Sequence, residues 1–167
     1  DIVEKACNTF ATKVSMDKEE LIKAFHKEDD FGALSIGKGA ALNHTRIPGE
    51  TEPELFIVRI KDGLVTRDTC FEDDTEDQEK HTFYALFFLV SSEKDATQHL
   101  RFLAHMAEMI DHENFFDRWV SANDEAELRE VLLRNERFIN LYIRSDDKTS
   151  KLIVKKIYEI DLPGESL

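Results

Sequence analysis

Residues 31–46 read FGALSIGKGAALNHTR, from Phe31 to Arg46. Gly32, Gly37 and Gly39 fall within eight positions. Such density predicts backbone with unusual dihedrals, or backbone drawn close to another group. Ala40 to Ile47 then reads as a short strand interrupted by Asn43 and His44, and Pro48-Gly49 turns the chain. A histidine near a strand end can show one ring nitrogen to a partner while a neighbouring group orients the other. Neutral imidazole is a good nucleophile toward a phosphoryl group near pH 7, and glycine-rich backbone offers N–H groups to phosphate oxygens. Taken by itself, though, a strand-end histidine is more often structural or simply exposed.

Upstream, residues 1–16 show no clear period. Asp17 with Glu20 forms a capping-box pattern, and Leu21, Ile22 and Phe25 carry a helical stripe to about Lys27, closed by the acidic stretch Glu28 to Asp30. Downstream, Leu55 to Ile60 predicts a strand that ends at the turn signal Asp62-Gly63. The acidic run Glu72 to Asp77 reads as solvated loop, because like charges repel and resist burial. His81 to Val90, with TFYALFFLV after the histidine, predicts a central strand buried on both faces. Asp95 starts a long amphipathic helix whose stripe is read as Leu100, Leu103, Ala104, Ala107 and Ile110. A short helix follows around Glu113 to Val120, and Asp124 caps another carrying Leu128, Val131 and Leu132. Phe138 to Ile143 and Leu152 to Ile160 read as strands joined at Asp146-Asp147-Lys148, and edge-strand logic has this hairpin extend the sheet or pair with another subunit. The alternation predicts an α/β sandwich: a mixed sheet flanked by helices.

The 167 residues fit one compact domain, and 41% hydrophobic content with nine Gly and Pro argues against global disorder. Asp and Glu number 35 against 22 Lys and Arg, a formal charge of −13. That balance argues against a nucleic-acid binder, which needs a basic face, and suits meeting basic or neutral proteins. Cys7 and Cys70 form no CxxC or metal-like cluster, which points to a reducing cytoplasm. No run approaches the ~18 apolar residues of a membrane span. The chain opens on Asp1, which suggests a fragment of something longer. The six histidines, His26, His44, His81, His99, His105 and His112, show no zinc spacing, so no metal or cofactor is expected.

The segment from Phe31 to Arg46 resembles the signature of the mannitol/fructose/nitrogen-type enzyme IIA family of the bacterial sugar phosphotransferase system, through Ile36, Gly37, Gly39, Ala41, Leu42, His44 and Arg46. The stretch Asp95 to Ala104 is similar to the family's helix start, where a histidine precedes leucines and alanines. ENFFDRWVSANDEAELREVL resembles its closing helices. The likeness covers roughly residues 8–134. It implies an enzyme IIA mannitol-type fold over residues 1–136, with residues 137–167 an added C-terminal β-hairpin packed on the same domain. It implies that His44 accepts a phosphoryl group from the histidine-containing phosphocarrier protein and passes it to a cysteine of a IIB component, with His99 hydrogen-bonding the phosphoryl oxygens. Arg46, Lys27, Gly37 and Gly39 are the supporting or phosphate-binding candidates.

Two positions depart from the family pattern. Asn43 stands where the family has proline, and Glu28 stands sixteen residues before His44, where the family carries an arginine. With the appended hairpin, these support an alternative. In it the chain is a degenerate enzyme IIA-like cytoplasmic regulatory domain of a membrane transporter, such as a sodium/proton antiporter. Either reading permits a homo-oligomer.

Overall fold

The computed structural model describes residues 2–28, 34–35, 39–67, 80–133 and 153–159. Its elements run α1 (Ile2–Phe10), α2 (Lys18–Glu28), β1 (Leu34–Ser35), β2 (Ala40–Ile47), β3 (Glu54–Arg67), β4 (Lys80–Ser92), α3 (Ala96–Ile110), α4 (Phe115–Ser121), α5 (Glu125–Leu133) and β5 (Ile153–Glu159). The strands form one mixed sheet in the order β1-β2-β4-β3-β5. β4 pairs parallel with β2 and antiparallel with β3. The expected α/β architecture, a mixed sheet flanked by helices, is what the chain adopts.

Strand β4 is central because its sequence suits burial on both sides. Ala85, Phe87 and Leu89 enter one core, shared with Phe102, Met106 and Met109 of α3, Phe115 and Trp119 of α4, and Leu128 and Leu132 of α5. Leu86, Phe88 and Val90 enter the other, shared with Ala6, Cys7 and Phe10 of α1 and Leu21 and Phe25 of α2. Period-two alternation thus feeds two helical layers from one strand. Trp119 Nε1 donates to the Tyr84 carbonyl at 2.9 Å. Buried Arg59 on β3 donates to the carbonyls of Val120 and Ala122, both at 2.7 Å, tying the sheet to the end of α4.

The caps follow the sequence closely. Asp17 Oδ1 accepts from Glu20 N at 2.8 Å, and Glu20 accepts in turn from Asp17 N at 3.2 Å. Asp95 accepts from Gln98 N at 2.8 Å, and Asp124 from Glu127 N at 2.9 Å.

Three readings need correction. Residues 2–10 are helical, because Ala6, Cys7 and Phe10 form a buried stripe at helical spacing. Asp62-Gly63 is no turn: β3 continues to Arg67, and its pairing jumps from Arg59↔Ala85 to Leu64↔Phe83. The glycine instead supplies a φ of 79° inside that irregularity. Finally, α3 buries His99, Phe102, Met106, Met109 and Ile110, while Leu100 is 64% exposed. The stripe is rotated by about one residue from the expected one, since Phe102 and Met106 offer the sheet more apolar area than Leu103 and the alanines.

Of the expected C-terminal pair, residues 138–143 lie outside the described residues, as does the acidic run 72–77. Strand β5 pairs parallel with β3 and extends the sheet at that edge.

A Cβ on Gly63 would stand 2.5 Å from Thr82 Cγ2, at a positive φ. Gly63→Ala is therefore expected to cost about 2 kcal/mol, read as a lower urea midpoint with an unchanged slope. A loss below about 0.5 kcal/mol would mean that the bulge relaxes around the added methyl.

Candidate functional site

Parallel pairing of β2 with β4 sets His44 opposite Leu89 and Arg46 opposite Ser91. Because Ala40, Leu42, Leu89 and Phe87 all point into the α3 side of the sheet, alternation carries His44 and Ser91 to that side too. His99 belongs to the buried stripe of α3, three residues before Phe102, so helix packing delivers its ring onto the same strand ends. Near the carboxyl ends of the two parallel strands, three polar side chains therefore meet at the edge of an apolar core.

They meet in a line. Ser91 Oγ lies 2.5 Å from His99 Nδ1, and His99 Nε2 lies 3.1 Å from His44 Nδ1. The two imidazole centroids are 5.0 Å apart at an interplanar angle of 56°. Ser91 is 1% exposed and His99 4%, while His44 is half-buried. Both nitrogens of His99 are thus engaged inside the protein. Burial first, and then the charges of His44 and Arg46, together pull the His99 pKa from 6.5 down to about 4. At neutral pH the ring is uncharged, one nitrogen a donor and the other an acceptor.

The remaining candidates fall in different places. Arg46 is exposed, two residues beyond His44 on the same strand face, and its charge reaches His99. Gly39 sits just before β2, at the other end of the strand from Ile47. Its φ is 94°, its carbonyl accepts from Tyr84 N at 2.7 Å, and a Cβ there would stand 3.2 Å from both Phe116 and Tyr84. Five residue steps along the strand part it from His44, roughly 17 Å, so it serves close packing. Lys27 is exposed in the last turn of α2, a helix packed on the opposite face of the sheet. Gly37 lies outside the described residues.

Ser91 was missed in reading the sequence. Its signal was available: a hydroxyl pair, Ser91-Ser92, ends the apolar run of the central strand, the place where α/β sheets gather ligand-facing groups. Ser92 is otherwise occupied, donating to the Gly49 carbonyl at 2.5 Å. Beside the site, an open groove of about 390 Å³ is lined by Glu50, Glu52, Pro53, Lys94, Asp95 and Gln98 among others, with no histidine. No group of three or more His, Cys, Asp or Glu able to hold a metal ion stands among the described residues. No helix among them is long and apolar enough to cross a membrane.

The family model described as "Phosphoenolpyruvate-dependent sugar phosphotransferase system, EIIA 2" matches residues 1–135. Among solved structures, the nitrogen regulatory protein IIA-Ntr from Neisseria meningitidis shares the fold with a TM-score of 0.63 and 17% identity, covering 78% of this chain and 84% of that one. IIA mannitol from Escherichia coli shares it with a TM-score of 0.52 and 15% identity, over 77% of this chain and 87% of that one. No curated protein matches the chain.

The lowered pKa of His99 has a stability consequence of definite sign. An unfolded chain protonates this residue near 6.5 while the native chain resists until about 4. Stability from this group is therefore intact above 6.5 and is lost as pH falls through that window. Replacing His99 by Gln removes the penalty, so the gap between wild type and His99→Gln in urea titrations should favour wild type more at pH 8 than at pH 4.5. Equal gaps at both pH values would show that the native ring protonates normally.

Proposed function

The chain belongs to the EIIA type-2 family of the phosphoenolpyruvate-dependent sugar phosphotransferase system, and on that premise we propose that it is a phosphoryl carrier whose acceptor atom is His44 Nε2. The observation that carries the reading is the 3.1 Å contact between His99 Nε2 and His44 Nδ1. With Nδ1 turned to a neighbouring imidazole, the other nitrogen is the one an incoming phosphoryl group can approach. A half-buried ring is held by its neighbour yet open to a partner protein, as an exchange between two proteins requires.

In this reading the donor is the histidine-containing phosphocarrier protein and the recipient is a cysteine of a IIB component, in the cytoplasm. Positioning and charge carry most of phosphoryl transfer. His99 supplies the first by orienting the acceptor ring. Arg46 supplies the second, as an exposed guanidinium two residues along the same strand face that can reach phosphoryl oxygens. No metal or cofactor enters the reaction as proposed. His99 serves here as an orienting group, because its Nε2 is already committed to His44; donating to the phosphoryl oxygens would require that bond to break.

A second reading is favoured by one residue, Glu28, which closes α2 where the resemblance calls for a cation. There the domain regulates a membrane transporter and turns over phosphate slowly or not at all.

Incubation with phosphoenolpyruvate, enzyme I and the phosphocarrier protein separates the two. Carrier function predicts acid-labile label on the wild type, none on His44→Ala, and label acquired roughly tenfold more slowly by Arg46→Gln. Wild-type protein that takes no label under these conditions would refute the carrier reading in favour of the regulatory one.

A further inference from the structure

A neutral imidazole has one lone pair available for attack, on whichever nitrogen lacks the proton. The position of that proton on His44 therefore matters as much as the position of the ring. The line Ser91 Oγ, His99 Nδ1, His99 Nε2, His44 Nδ1 can be polarised in two ways. If the serine hydroxyl donates to His99, then His99 Nε2–H donates to His44 Nδ1, and the His44 proton sits on Nε2, where it blocks attack. If the serine oxygen accepts from His99 Nδ1–H, then His99 Nε2 accepts from His44 Nδ1–H, and the lone pair lies on His44 Nε2.

We propose that Ser91 is the positioning residue of this site, its Oγ accepting from His99 Nδ1–H so that neutral His44 keeps its proton on Nδ1 and its lone pair on Nε2. The use of this device rests on the phosphoacceptor reading; the hydrogen-bonded line itself does not. Two contacts build the line, 2.5 Å from Ser91 Oγ to His99 Nδ1 and 3.1 Å from His99 Nε2 to His44 Nδ1, and the phosphoacceptor reading selects between its two polarities. The placement of Ser91 adds to them. On this face of β4 the series Ala85, Phe87, Leu89 is wholly apolar and buried, and it breaks to a hydroxyl at the one step where an imidazole arrives from α3. Ser91 is 1% exposed, so its oxygen cannot exchange His99 for bulk water.

The transfer step balances with this assignment. The lone pair of His44 Nε2 attacks phosphorus on the donor's phosphoimidazole. The donor's P–N bond breaks, and its electron pair stays on the donor nitrogen. His44 retains its Nδ1 proton and becomes a phosphoimidazolium, whose new positive charge strengthens the bond from Nδ1–H to His99 Nε2. Because the site holds His99 uncharged, that nitrogen remains an acceptor throughout. The protonated phosphoimidazole is then the better leaving group when a thiolate attacks phosphorus.

Long-range ¹H–¹⁵N correlation spectra of the ¹⁵N-labelled chain at pH 8 read the tautomer of each ring directly. Wild type and Ser91→Thr, which keeps the hydroxyl, should both show His44 and His99 with proton on Nδ1 and bare Nε2. Ser91→Ala, and Ser91→Cys as the volume-conserving variant should alanine fail to fold, should move both rings toward Nε2–H. Phosphorylation by phosphoramidate should slow about tenfold in those variants and recover in Ser91→Thr. A wild-type His44 carrying its proton on Nε2, or tautomers unmoved in both the Ala and Cys variants, would overturn the proposal. If the tautomers respond as expected but wild type accepts no phosphoryl group from phosphoramidate, Ser91 stands as the positioning residue and the phosphoacceptor reading falls.

Discussion

The parallel pairing of β2 with β4 is the constraint on which the rest of the molecule depends. Its register sets His44 opposite Leu89 and Arg46 opposite Ser91. A slip of one residue would send His44 to the face covered by α1 and α2 and would exchange Ala40 and Leu42 for Ala41 and Asn43 in the larger core. Such a slip is heavily penalised, because β4 is buried on both faces and its large side chains alternate between two cores that are already filled. The site is therefore held in place by Phe87, Phe88 and Leu89, none of which belongs to it.

Much of this was legible because the central strand announces itself. A run such as TFYALFFLV has no solvent face to offer, so burial on both sides, and helices on both sides, follow from composition. The helix starts were equally readable at Asp17, Asp95 and Asp124, where a side-chain carboxylate meets the orphan N–H groups of the first turn. What was hard to read had a physical reason in each case. At Gly63 the same glycine chemistry serves a turn or a bulge, and the outcome depends on β4 continuing alongside, which is a non-local fact. On α3, two stripes one residue apart both satisfy a period of 3.6, and the choice falls to the larger side chains that the sheet can accommodate.

That second ambiguity hid part of the site. A stripe drawn through Leu100 makes His99 a neighbour of the core, whereas the true stripe makes His99 a member of it. A polar ring at a core position costs free energy unless both nitrogens are satisfied. Here one is met from β4 by Ser91 and the other from β2 by His44, so the polar atoms satisfy one another across three elements. Family likeness brought His44 and His99 forward as a pair. It gave Ser91 no such prominence, because a serine ending a strand is common and its partner is fixed by helix docking.

The charge balance of the chain bears on the same site in an unexpected direction. The chain carries a formal charge of −13, yet the pKa of His99 is pushed down, to about 4. The local causes win because they act within a few ångströms, whereas surface carboxylates act through water and are screened over about 8 Å at physiological salt. Desolvation by the α3–sheet core, with the charges of His44 and Arg46 adding to it, outweighs a diffuse negative field. A chain this acidic can thus keep a buried imidazole uncharged, and an uncharged imidazole can accept a hydrogen bond from a neighbouring ring.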